Sequence, residues 1–180
     1  MRGRRAFLAL TVALTLPLPG CGWEPLYADP QSGPASAELR AIKVSPISER
    51  IGQRLEMALR DALNPTGEPT LPRYTLNTTL NYSLNSLGLQ SQGTSTLGQI
   101  DLHSTSNLIE NRTGQNLLTI SLHEQNSFEL NSNQYSTVVG EKDAQIRTVA
   151  ELNSEIVRRL NLFMEQRIAQ KAPKKAEATP

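Results

Sequence analysis

The spacing of apolar residues changes period several times along the chain, and each change marks a structural element. Leu39 to Val44 reads as a short strand ended by Ser45-Pro46, because the residue before proline is pushed to extended geometry. Ile47, Ile51, Leu55, Ala58, Leu59 and Ala62 then recur every three or four positions, which places them on one face of a helix. Asn64-Pro65-Thr66-Gly67 stops that helix. From Tyr74 the period becomes two: Tyr74, Leu76, Thr78, Leu80, Tyr82 and Leu84 alternate with Thr75, Asn77, Thr79, Asn81, Ser83 and Asn85. One face is apolar and the other carries amides and hydroxyls, the pattern of a long half-buried strand.

Two further strands are expected at Ser95 to Ile109 and Asn116 to Leu130, joined by Asn111-Arg112-Thr113-Gly114. Asn first and Gly fourth suits a three-residue hairpin with the glycine in the left-handed position. If Asn111 faces Gln115, Leu108 meets Leu118 and Ser106 meets Ile120, so the apolar parity of the two strands agrees. Finally, Ile146, Val149, Leu152, Ile156, Leu160, Phe163, Met164 and Ile168 keep helical spacing, giving one long amphipathic helix over Ala144 to Gln170. A sheet with a single apolar face is best buried by both helices lying on that face. The expected fold is α+β: a two-layer sandwich of a four-stranded mixed sheet with two helices on one face, in the order β-α-β-β-β-α.

Outside this pattern lie the two ends. Basic Met1-Arg2-Gly3-Arg4-Arg5, an apolar run from Ala6 to Leu16 and the exit Pro17-Leu18-Pro19-Gly20 have the layout of a secretory signal over residues 1–20. The run is shorter than the roughly 20 residues that a membrane-spanning helix needs. Leu18-Pro19-Gly20-Cys21 resembles a lipobox, with cleavage before Cys21 and lipid attached to its thiol; the plainer alternative is an unpaired or intermolecular thiol. Arg4-Arg5-Ala6-Phe7-Leu8 also resembles a twin-arginine signal, which leaves the export route open between the general and twin-arginine pathways. Small, Pro- and Gly-punctuated Ala28 to Ala37 closes a lipidated N-terminus and flexible tether spanning 21–37. Residues 38–170 form the domain, and 171–180, with no large apolar residue, form a disordered tail.

Loss of Arg2, Arg4 and Arg5 with the signal leaves fifteen basic against seventeen acidic residues, so no strong basic field argues for nucleic acid. Catalysis is not expected either. His103 and His123 are the only neutral-pH bases, and no phosphate loop, metal spacing or nucleophile elbow is present. In the proposed register His103 stands opposite His123, with Asp101 on the same strand face. The simplest account of these is an exposed cross-strand histidine pair, with neither a metal nor a cofactor expected.

Cys21-Gly22-Trp23-Glu24-Pro25-Leu26-Tyr27 resembles the Cys-Gly-aromatic-x-Pro-Leu-Tyr opening of the LPS-assembly lipoproteins, the LptE family of alphaproteobacterial type. Ser132-Asn133-Gln134-Tyr135-Ser136 and Lys142-Asp143-Ala144-Gln145-Ile146-Arg147 are similar to later parts of that family, whereas Gly140 and Glu141-Lys142 depart from it. The resemblance implies a triacylated lipoprotein at the periplasmic face of the outer membrane, with Gly22 in place of the aspartate of inner-membrane retention. It further implies a plug and assembly partner for the β-barrel LptD, in contact with lipopolysaccharide.

The residues support this in one respect: from Tyr74 to Ile109 the only formal charge is Asp101. A solvated sheet face usually carries Lys and Glu, whereas a neutral hydrogen-bonding face suits a polar barrel interior, although water tolerates it too. Asn77, Asn81, Thr105 and Thr119 on that face, with Leu87 and Leu89 at a hairpin tip, are the candidate barrel contacts. Arg112, with Leu117 nearby, is the candidate for a lipopolysaccharide phosphate. The alternative is an outer-membrane lipoprotein with an unrelated binding or structural role.

Overall fold

The computed structural model describes residues 35–89 and 95–171, without the side chains of 88, 89, 95 and 96. The signal peptide, Cys21, the Trp23-to-Tyr27 motif, most of the tether and all of the tail but Lys171 lie outside the described residues. The elements are α1 (Ser36–Leu39), β1 (Ile42–Val44), α2 (Arg50–Leu63), β2 (Tyr74–Leu89), β3 (Ser95–Glu110), β4 (Asn116–Glu129) and α3 (Gln134–Lys171).

The four strands form one mixed sheet in the order β1-β2-β3-β4, with β1 parallel to β2 and the remaining pairs antiparallel. The expected α+β architecture is present. Even-numbered positions point to the helices: Leu76, Ile100, Leu102, Leu108 and Ile120 are buried there against Leu55 and Leu59 of α2 and Leu152, Ile156 and Leu160 of α3. Thr78 and Ser106 sit on the same buried face, and their hydroxyls satisfy each other at 2.8 Å, so neither is left unpaired.

Four local expectations need correction. The segment at Leu39 is a single turn of helix, not the start of a strand, and Ala35, assigned to the tether, is buried at 1 % exposure. Leu87 and Leu89 do not form a hairpin tip: β2 runs through them, pairing Leu87 with Leu97 and Leu89 with Ser95. The turn after β3 closes one residue earlier than expected, because the Gln115 carbonyl accepts from Glu110 N–H. A bulge at Leu117 restores the register, so Leu108 still meets Leu118 and His103 still meets His123. Lastly, α3 begins at Gln134, ten residues before Ala144, and ends at Lys171, the first residue of the assigned tail. On its stripe Ala144 and Thr148 are buried, whereas Ile146 is 50 % exposed.

Candidate functional site

Pleating sends the odd-numbered side chains of β2, β3 and the body of β4 to the face away from the helices. Asn77, Asn81, Thr105 and Thr119 are all exposed on it, as the alternation predicts. Their surroundings are hydrogen-bonded rather than ionic. Asn77 Oδ1 accepts from the Ser45 hydroxyl at 2.5 Å, and Thr119 donates to Asn107 at 2.7 Å, a residue that Asn116 also reaches at 3.2 Å. Leu87 is 38 % exposed beside its cross-strand partner Leu97, while the Leu89 side chain lies outside the described residues.

The centre of this face holds a denser cluster. Asp101 precedes His103 by two residues on β3, and the ladder sets His123 of β4 directly opposite His103. The two imidazoles stack with centroids 3.9 Å apart and planes within 8° of parallel. His123 Nε2 is hydrogen-bonded to Asp101 Oδ1, and the Gln125 amide donates to Asp101 Oδ2 at 2.9 Å. The hydrogen bond from His123 holds the Asp101 carboxyl below the usual carboxylate range; burial opposes this, and the Gln125 bond assists it.

Arg112 lies at the opposite pole of the sheet, in the turn after β3. It lines a cleft of about 430 Å³ together with Leu71, Arg73, Tyr74 and Lys171. Leu71 is 87 % exposed, so it is Leu71 rather than half-buried Leu117 that puts apolar surface beside Arg112 in this cleft. Arg73 is held by Glu38 at 2.8 Å, and Arg167 by Glu110 at 2.8 Å, with its guanidinium 5.6 Å from the centre of the Tyr74 ring. Burial, then the hydrogen bond to Glu38, pushes the Tyr74 hydroxyl up. Leu71 and Lys171 were not among the sequence candidates, because they are a hundred residues apart and carry no periodic signal.

No protein-family model matches this chain, and no curated protein matches it. Similar solved structures exist. A Caulobacter crescentus protein assigned as a lipoprotein is 19 % identical, with a TM-score of 0.60 over 78 % of this chain and 99 % of its own. A minor lipoprotein of Acinetobacter baumannii is 18 % identical, with a TM-score of 0.52 over 67 % of this chain and 90 % of its own. An uncharacterized lipoprotein B of Nitrosomonas europaea is 13 % identical, with a TM-score of 0.51 over 72 % and 86 %. At these identities the similarity is one of fold.

Proposed function

We propose that this chain is an outer-membrane lipoprotein of the LptE kind, anchored through Cys21, that plugs and helps assemble the β-barrel LptD and contacts lipopolysaccharide without catalysing a reaction. The observation that carries the proposal is the open sheet face. Both long helices pack on the other side, and odd positions of β2, β3 and β4 from Thr75 to Ser127 bear one charged group, Asp101, held by His123 and Gln125, with Lys43 of β1 paired to Glu68 at the edge. A surface mainly of amides and hydroxyls can exchange hydrogen bonds with water for hydrogen bonds with a polar barrel lumen, and its central carboxylate, Asp101, already has partners in His123 and Gln125.

Two further features support it. The fold is shared with solved structures of bacterial lipoproteins. The cleft at the turn sets Arg112 and Lys171 beside exposed Leu71, cations next to apolar surface that suit a phosphorylated lipid, with the lining carboxylates Glu38 and Glu110 bound to Arg73 and Arg167.

The test is copurification from detergent-solubilised outer membrane. The protein is expected to bring down a large β-barrel at a one-to-one ratio, and to do so also as Cys21→Ser exported without its lipid. Glu in place of Asn77, Asn81, Thr105 and Thr119 together should strand charge against the barrel wall and weaken the complex. A folded quadruple variant that keeps both the barrel and surface lipopolysaccharide at wild-type levels overturns the plug assignment.

A further inference from the structure

We propose that Asp101, His103 and His123 form a site for one divalent transition-metal ion of the zinc, nickel or copper type. The proposal does not rest on the barrel assignment. It begins with backbone geometry, since a two-residue step along β3 and a direct pairing across to β4 bring all three side chains to one spot on one face. One donor atom from each residue then lies within 4.8 Å of the others.

One of the two donor distances to Asp101 matches that of ligands sharing an ion, and the other is a direct hydrogen bond that an ion would replace. Zinc holds imidazole nitrogen and carboxylate oxygen at about 2.0–2.2 Å, so neighbouring donors in a tetrahedral site stand about 3.4 Å apart. His103 Nε2 is 3.6 Å from Asp101 Oδ1, and His123 Nε2 is already in contact with the same oxygen. To hold an ion, His123 Nε2 must part from Asp101 Oδ1 and the two stacked rings must turn so that their Nε2 lone pairs converge, movements of side chains on strands that already set the three residues together.

Hydrogen bonds alone do not place His103, which is held by stacking on His123. Asp101 is satisfied by His123 and Gln125, and His103 at 3.6 Å adds no hydrogen bond to it. Yet the His103 ring, with 59 % of its side chain exposed, stays stacked on His123 with its Nε2 near the carboxylate. Asp101 is 8 % exposed and forms the floor, while the two imidazoles form the mouth. Three protein ligands under an open mouth leave a fourth position for water. Gln125 engages Oδ2, the outer-shell support that metal-binding carboxylates commonly have, while Oδ1 is held by His123 Nε2 and becomes available to an ion when that hydrogen bond opens. Two imidazoles and one carboxylate select borderline transition ions over calcium and magnesium, which require six or more oxygens.

The experiment is calorimetric titration of zinc, nickel and copper chlorides into the chelator-treated full chain in detergent. Saturable binding of one ion per chain is expected, with none for magnesium or calcium. His103→Gln, His123→Gln and Asp101→Asn should each weaken binding by at least about tenfold, the lower end of what loss of even an outer-shell contact commonly costs. Electron paramagnetic resonance of the copper-loaded wild type should show coupling to two imidazole nitrogens. Absence of saturable binding overturns the site, as does undiminished affinity in histidine variants that keep a folded circular dichroism spectrum. If a variant fails to fold, the wild-type copper spectrum decides: two imidazole nitrogens support the site and fewer overturn it.

Discussion

Two glycines show how unevenly single residues announce their roles. Gly114 adopts φ +70° in the turn after β3, a conformation that side chains disfavour, and the spacing Asn-x-x-Gly is enough to foresee it. Gly98 gives no such signal. It pairs with Phe128 across the β3–β4 ladder, and a Cβ added there would stand 2.4 Å from Phe128 Cζ and under 3.0 Å from two other ring atoms. The phenyl ring therefore lies over the glycine, an arrangement that depends on a side-chain rotamer thirty residues away. Gly98→Ala should destabilise the protein by about 1–3 kcal/mol through overpacking, measured by urea unfolding. A neutral outcome would mean that the ring swings aside freely. The Asp101, His103 and His123 cluster is intermediate. Parity and register place the residues together, but the ring stacking and the Gln125 contact come from rotamers that spacing does not specify.

Among the elements, α3 departs most from its sequence pattern. Its first ten residues include Thr137, Val138, Val139 and Gly140, which have low helix propensity, and Val138 and Val139 are 55 % and 49 % exposed. No apolar stripe runs through them, so a period count begins the helix only at Ala144. What starts it earlier is local capping: Asn133 Oδ1 accepts from Tyr135 N–H at 2.9 Å, and the Asn133 carbonyl accepts from the Ser136 hydroxyl at 2.9 Å. Tertiary support follows, since a Cβ on Gly140 would lie 3.6 Å from Phe128 Cβ, close enough to show the helix resting on β4. Farther along, Glu155 accepts from Arg158 and Arg159, each at 2.7 Å, and these bonds pull its carboxyl from 4.5 down to about 2. A carboxyl depressed on folding stabilises the native state above its unfolded value and loses that contribution as pH falls from 4.5 towards 2. Glu155→Gln should therefore flatten the fall in melting temperature over that interval. At neutral pH the substitution should cost about 1 kcal/mol or less, because both guanidinium groups stand largely in water. An unchanged acid limb would show that the pair is not maintained in solution.

At the scale of the molecule, stability is concentrated in the single layer between the sheet and the helices, so residues of one helix should differ sharply in their effect. Leu152 is fully buried in that layer and Leu162 is 43 % exposed on its flank. Leu152→Ala should cost about 2–5 kcal/mol through the cavity it leaves. Leu162→Ala should stay within about 0.5 kcal/mol, both read from denaturant midpoints. Comparable losses at the two positions would mean that the helix packs differently from the arrangement described. The sequence by itself determined the kinds of the long elements, the parity that divides the sheet into an apolar and a mainly neutral polar face, and the β3–β4 register through His103 and His123. These follow from side-chain direction along a strand and from connection through a short turn, both local consequences of backbone geometry. Only the tertiary structure decided that β1 lies parallel beside β2, that a bulge falls at Leu117, and that α3 reaches back to Gln134. It also decided that Leu71, Arg112 and Lys171 share one cleft. The β1–β2 pairing and the cleft join segments far apart in the chain, set by how the helices and sheet bury the common core, whereas the bulge and the start of α3 follow from turn and cap hydrogen bonds that an apolar period does not register.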